Sequence, residues 1–332
     1  MLRLLDPKSK KVRMILAVHV DDMIVAGNSK DCKWLHERLC KVFPVNNLGP
    51  LTWYTGCAFE RSSDNASIKI VQTAFIDKII ERFNVRTTAP TPAFSGRVLR
   101  PKEEAEPGGQ WPFREAVGSL MWVATMSRPD IANAVREVAR HAHDPARGHW
   151  NAVQRILKFL KYTRTLGLTF EKGKRLDLVA YSDSDYARDE KDRPSVSGAA
   201  IMCSGACVSW FSRMQRCVTT SSTEAEYVAM GDCVKEALFV RNVLTFMDPN
   251  EKGKRILVQE DNEGAIRLAN NPLSSARTRH IDVRHHFLRE LVQEQAIKIE
   301  HVDTSLQHAN VLTKSLDTRS FRGHRDFLLN RA

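Results

Sequence analysis

Apolar positions change their period twice along this chain, and the changes divide it into three stretches. In residues 12–27, VRMILAVHVDDMIVAG, two apolar runs meet at Asp21 and Asp22. That pattern predicts a β-hairpin carrying both carboxylates at its tip. Trp34, Leu35, Leu39 and Val42 recur at helical spacing and predict a helix over 31–43, while alternation over 51–60 predicts a strand. The period then disappears in 86–112, where Pro90, Pro92, Pro107, Gly108 and Gly109 bracket a charged stretch, the composition of a linker. Three helical patterns follow. The first covers 113–125, the second opens at Arg128-Pro129-Asp130 with Pro129 suited to a first turn, and the third covers 147–162. Trp150, Val153, Ile156, Leu157 and Leu160 share one face of the third; Arg155, Lys158 and Lys161 share another. That basic face suits either a solvated surface or a track for a duplex backbone.

From residue 177 the order becomes strand, strand, strand, helix, strand, helix. An apolar alternation over 178–183 runs into Ser182, Asp183, Ser184 and Asp185. Strands over 197–203 and 206–212 follow, with Gly205 turning between them. Ser221 and Ser222 are cap candidates for a long helix over 222–244. A strand over 256–260, a short helix over 262–269, a helix over 283–294, a strand over 297–302 and a last helix over 305–316 complete the pattern. The expected class is α/β (α+β), a mixed sheet flanked by helices behind a helical segment.

Composition narrows the function. The chain has 332 residues, enough for two or three domains, with 50 Lys+Arg against 39 Asp+Glu and a formal net charge of +11. Such an excess suits a polyanion such as nucleic acid. No apolar run is long enough to span a membrane and no charged leader precedes an apolar one, so an intracellular place, cytoplasmic or nuclear and not secreted, is expected. Seven cysteines without paired spacing fit reduced thiols. Cys203 and Cys207 flank a hairpin turn and read as structural. His280, His285 and His286 lack the paired cysteines a zinc site would add.

The acids offer chemistry. Asp183 ends a strand, Glu226 lies in the first turns of a helix, and Asp261 ends another strand. That order can converge three carboxylates on divalent metal. Asp185 shares a strand face with Asp183, and Glu224 competes with Glu226, with helix-dipole pairing as its other role. Asp21 and Asp22 suit a turn for local reasons alone, although nucleotidyl transfer uses metal ligands at such a tip.

Val18-His19-Val20-Asp21-Asp22-Met23, then Asn47-Leu48-Gly49-Pro50-Leu51 and Tyr54-Thr55-Gly56, resemble the reverse transcriptase of copia-type LTR retrotransposons. That family usually has Tyr where His19 stands, and a further metal-binding Asp on a strand upstream. Only twenty residues precede Asp21. The resemblance therefore implies a polymerase palm and thumb remnant without its fingers, and no DNA synthesis by this chain alone. REAVGSLMWVATMSRPDIANAV is similar to the segment joining polymerase to nuclease. AYSDSDYA, RPSVSGAAIMCSG, VSWFSRMQ, STEAEYVAM, EDNEGAI, RTRHIDVRHHFLRE and TSLQHANVLTK resemble the ribonuclease H of the same elements, so the likeness covers about residues 12–317.

The resemblance implies a division into 1–85 (end of reverse transcriptase), 86–112 (linker), 113–172 (helical connection), 175–317 (ribonuclease H-like domain) and 318–332 (tail). It also implies that Asp183, Glu226 and Asp261 are catalytic metal ligands for Mg²⁺ or Mn²⁺. Asn310 stands at the usual fourth Asp, and an amide brings no charge there. Asp303 lies near it in sequence, but at a strand end. Arg279 and His280 are expected to touch the nucleic-acid backbone. The implied activity is hydrolysis of the RNA strand of RNA–DNA hybrids. An inert nucleic-acid-binding remnant is the alternative, favoured by His19 and Asn310. A DNA transposase or integrase ranks lower, because those enzymes order their acids Asp, Asp, Glu.

Overall fold

The computed structural model describes residues 1–186, 195–270 and 282–331. Within them the strands form three sheets. The first is antiparallel: β1 (Leu2–Leu5), β2 (Val12–His19) and β3 (Asp22–Gly27). The β2–β3 hairpin matches the sequence reading, with Asp21 and Asp22 exposed at its turn. Helix α1 (Ser29–Cys40) follows, its Asn28 cap accepting from the Asp31 N–H at 2.9 Å.

The second sheet takes β4 (Trp53–Tyr54), β5 (Cys57–Arg61) and β6 (Ser67–Val71), with α2 (Thr73–Arg82) leaving its last strand. The single strand expected over 51–60 is two. Thr55 and Gly56 both adopt positive φ, 44° and 79°, so the chain reverses between β4 and β5 in a tight hairpin turn.

Helices α3 (Phe113–Met126), α4 (Ala132–Ala139) and α5 (Arg147–Tyr162) come next. Then β7 (Leu168–Glu171) returns to pair with β6. Apolar faces of α2 to α5 bury Ile76, Leu120, Val123, Val135, Val153, Ile156 and Leu160 in one core. The basic face of α5 is neither free surface nor a clear track. Arg155 donates to Thr91 Oγ1 at 2.9 Å and lies over the Phe94 ring, and Lys161 donates to the Val85 and Arg86 carbonyls at 2.7 and 3.1 Å. Residues 86–112 hold no helix or strand, but they are tied down: Ala89 N–H donates to the Lys158 carbonyl and Gly96 N–H to that of Ser315.

The third sheet carries the chemistry. Its strands are β8 (Leu178–Asp185), β9 (Val196–Cys203), β10 (Ala206–Met214), β11 (Ile256–Glu260) and β12 (Ile297–His301), in the order β10-β9-β8-β11-β12. β8, β9 and β10 are antiparallel neighbours, whereas β11 runs parallel to both β8 and β12. This is the mixed α/β sheet of the ribonuclease H type that the sequence led us to expect. One face packs on α6 (Ser222–Met247), α7 (Glu263–Asn270) and α8 (Asp282–Gln293) through Ala180, Ile201, Val258, Met230 and Leu288. The other meets the helical core through Ala200, Met202 and Cys207. Trp210 Nε1 donates across that junction to the Ala124 carbonyl at 2.8 Å.

Two differences fall at the end of the chain. The helix expected over 305–316 is a pair of short 3-10 turns, Thr304–Leu306 and His308–Leu312. The region 318–332 holds α9 (Thr318–Leu328), whose Phe321 and Leu328 enter the core. His308 stacks on Phe327 and meets His324 through Nδ1 atoms 3.2 Å apart. Burial, then the neighbouring His324, pushes His308 down to about 4. His141 is likewise pushed down to about 4, by burial and then by His149 and Arg140. Both rings are neutral when folded, whereas unfolded rings take protons near pH 6.5. Their stabilisation is complete above that pH and is lost as pH falls from 6.5 toward 4. Between pH 7 and pH 5 the urea midpoint of wild type is expected to fall relative to that of a His141→Gln/His308→Gln variant, since the buried acids act alike in both proteins. Equal changes in the two proteins contradict this.

Candidate metal centre

Three elements deliver one carboxylate each to one end of the third sheet. β8 runs on to Asp185, so Asp183 and Asp185 share a face as parity requires, but only Asp183 is buried, at 1% exposure. In α6 the Ser221 hydroxyl caps the Glu224 N–H at 3.2 Å. Glu224 folds back, accepting from the Thr220 N–H and hydroxyl at 2.7 Å each. Glu224 therefore closes the helix start, and Glu226, 8% exposed, is the acid that faces the sheet end. Asp261 follows β11 directly. One ligand atom from each of Asp183, Glu226 and Asp261 lies within 4.8 Å of the others, the one such group of three among the described residues.

The surroundings penalise charge. Burial, reinforced by Asp261 and opposed by Lys314 and Thr313, pushes the Asp183 carboxyl up to about 6. Burial first, then Asp183 and Asp261, raises Glu226 well above the usual carboxylate range. Glu260, fully buried behind them, is raised well above it too, by burial and then by Glu226. Carboxylates gathered against burial and mutual repulsion are the donor set a hard divalent cation fits. Asp183, Glu226 and Asp261 would hold it.

Sequence reasoning gave no role to four neighbours. The Thr313 hydroxyl donates to Asp183 Oδ2, and Lys314 Nζ donates to Asp183 Oδ1 at 3.3 Å. Burial works against the Lys314 ammonium, but Asp183 and Glu226 outweigh it and its affinity for the proton is raised. Glu260 Oε1 accepts from the Asn262 N–H at 3.2 Å, and Asn262 Oδ1 in turn accepts from the Ala265 N–H at 3.0 Å in the first turn of α7. Thr313 and Lys314 stand three and four residues after Asn310, one turn on, and that spacing was the available signal.

Asn310 is buried in the 3-10 turn rather than on an α-helix. Its Nδ2 donates to the Thr304 carbonyl at 2.9 Å, and its Oδ1 has no hydrogen-bond partner. Asp303 is occupied with the Ser305 N–H and hydroxyl. Asp21 and Asp22 are exposed and belong to no three-acid group among the described residues. Arg279 and His280 lie outside the described residues. Gly198 of β9 is paired with Asp183, and a Cβ there would meet Thr313 Cγ2 at 2.6 Å and Leu312 Cβ at 2.9 Å. Gly198→Ala is expected to push the 3-10 turn off the sheet and destabilise by about 1–3 kcal/mol, the usual range for overpacking. An unchanged urea midpoint contradicts that close approach.

Sheet order and flanking helices give the mixed α/β fold expected of this part of the chain, with the three carboxylates at one end of the sheet. Residues 7–94 match the family described as "Reverse transcriptase (RNA-dependent DNA polymerase)". Over 317 residues the chain is 35% identical to "Retrovirus-related Pol polyprotein from transposon TNT 1-94" of Nicotiana tabacum, covering 93% of this chain and 24% of the relative. It is 33% identical over 324 residues to "Retrovirus-related Pol polyprotein from transposon RE1" of Arabidopsis thaliana, covering 92% and 21%. Among solved structures, RNase H1 of the halophilic archaeon Halobacterium salinarum NRC-1 overlaps 41% of this chain and 94% of its own, with 16% identity and a TM-score of 0.33. The chain belongs to the Pol polyproteins of copia-type retrotransposons, and it spans about a quarter of the length of these two relatives. No helix among the described residues is long and apolar enough to cross a membrane.

Proposed function

We propose that this chain hydrolyses the RNA strand of RNA–DNA hybrids at Asp183, Glu226 and Asp261. The observation that carries this reading is the convergence of those three carboxylates, from β8, α6 and the end of β11, within 4.8 Å. Mg²⁺ or Mn²⁺ bound there would supply an activated water and stabilise the leaving oxygen. The chain's own part is to hold the acids together against their repulsion. Thr313 and Lys314 orient Asp183, and Glu260 with Asn262 shapes the turn that presents Asp261. A formal net charge of +11 supports binding to a phosphate backbone. Discrimination of the strands would rest on 2′-hydroxyls and duplex shape, and Arg279 and His280 remain proposed backbone contacts. DNA synthesis is not proposed for the chain alone, because no third acid joins Asp21 and Asp22 among the described residues.

Asn310 favours a second reading, an inert nucleic-acid-binding remnant. Incubating the full chain with end-labelled RNA–DNA hybrid, RNA duplex and DNA duplex, with Mg²⁺, Mn²⁺ or chelator, separates the two. Metal-dependent cutting confined to the hybrid is the expected result. Binding without cutting in either metal leaves the remnant.

A further inference from the structure

Lys314 has no part in holding a metal, yet it sits among the residues proposed to do so. A carboxylate that bridges two ions must turn one oxygen to each. Each Asp183 oxygen already accepts one hydrogen bond and keeps one lone pair: the Thr313 hydroxyl donates to Oδ2 and the Lys314 ammonium to Oδ1 at 3.3 Å. Both donors come from the end of one 3-10 turn, anchored where the Lys314 N–H donates to the Asn310 carbonyl at 3.1 Å. That same turn presents Asn310, a buried side chain that adds no charge and leaves its Oδ1 without a partner.

Formal charge points the same way. The three ligand carboxylates and the one ammonium carry two net negative charges between them, which a single divalent ion neutralises, with Glu260 behind them and outside the ligand set. A second divalent ion would leave the pocket as positive as it had been negative, in a place where Asp183 and Glu226 are almost wholly buried. We propose that the Lys314 ammonium is a built-in cation of this centre, sharing Asp183 with the metal, so that the site takes one divalent ion and not two. Lys314 is thereby a positioning residue: it fixes one Asp183 oxygen and sets the ion count. Thr313 fixes the other oxygen, and Asn310 withholds the charge that a second ion would require. This inference rests on the metal-centre reading above.

Equilibrium dialysis of the full chain against Mn²⁺, with free Mn²⁺ counted by electron paramagnetic resonance, tests it. Wild type is expected to bind one ion per chain. Lys314→Met, checked for native far-UV circular dichroism, should bind that ion at least about tenfold more tightly, since like charges a few ångströms apart repel even near a protein surface. Lys314→Gln should behave the same way, and Lys314→Met/Asn310→Asp should bind two ions. Two ions in wild type, or unchanged affinity and count in both lysine variants, overturn the proposal while leaving the carboxylate centre standing. Absence of Mn²⁺ binding in wild type, or binding undiminished by Asp183→Asn, removes the centre itself.

Discussion

Replacing Arg128 by Met is expected to destabilise the chain by about 3–5 kcal/mol, the range for breaking a buried ion pair by removing one partner. Arg128 is wholly buried, and four of the five N–H donors of its guanidinium are used. Nε and Nη2 reach the two Asp130 oxygens at 2.9 and 2.7 Å, a bidentate pair, while Nη1 and Nη2 reach the Thr163 carbonyl and hydroxyl at 3.0 and 2.8 Å. The pair thus ties the start of α4 to the end of α5. Methionine would leave Asp130 charged, 1% exposed and without its partner, and the Thr163 carbonyl without a donor. Many domains have only 5–15 kcal/mol in total, so the loss should show as a large fall in the urea midpoint. A fall below about 1 kcal/mol would mean that water or another donor reaches Asp130.

The second large effect concerns activity and has an opposite sign in stability. Glu226→Gln keeps the shape of the side chain but removes the charge that burial, Asp183 and Asp261 all oppose. Cleavage is expected to fall by about a hundredfold or more, because charge stabilisation by a bound metal amounts to several kcal/mol and each 1.4 kcal/mol is tenfold in rate. The metal-free variant should unfold at the same or higher urea concentration than wild type, as at other strained functional sites. Asp183 contributes to this balance through its own raised proton affinity. Its stabilising effect is present below about pH 4 and lost as pH rises through about 6, so the gain from Glu226→Gln should be larger at pH 7 than at pH 5. Loss of both activity and stability would assign Glu226 a structural role.

Much of the site was legible because its chemistry is written in local pattern. A strand must end, and the residue at its end is visible: Asp183 and Asp261 both stand where apolar alternation stops. The choice between Glu224 and Glu226 was not legible, since it depends on Thr220 capturing Glu224 four residues away. Lys314 and Thr313 were hidden for a different reason. Their partner Asp183 is 131 and 130 residues distant, and no periodicity reports such a meeting. The missed elements are similar. β7 pairs with β6 across about a hundred residues, and α9 reads as a polar segment because only a few positions, Phe321 and Leu328 among them, enter the core. The hairpin at Thr55-Gly56 was disguised by alternation that continues across the turn, although the glycine itself was the available signal.

The most direct measurement is cleavage of an end-labelled RNA–DNA hybrid in Mg²⁺ by wild type and Asp183→Asn side by side, with the fold of each verified by circular dichroism. Cutting of the RNA strand by wild type, abolished both by chelator and by the single amide substitution, is the expected result. Equal cutting by the two proteins, or cutting that persists in chelator, contradicts a metal-holding role for the carboxylates at this sheet end.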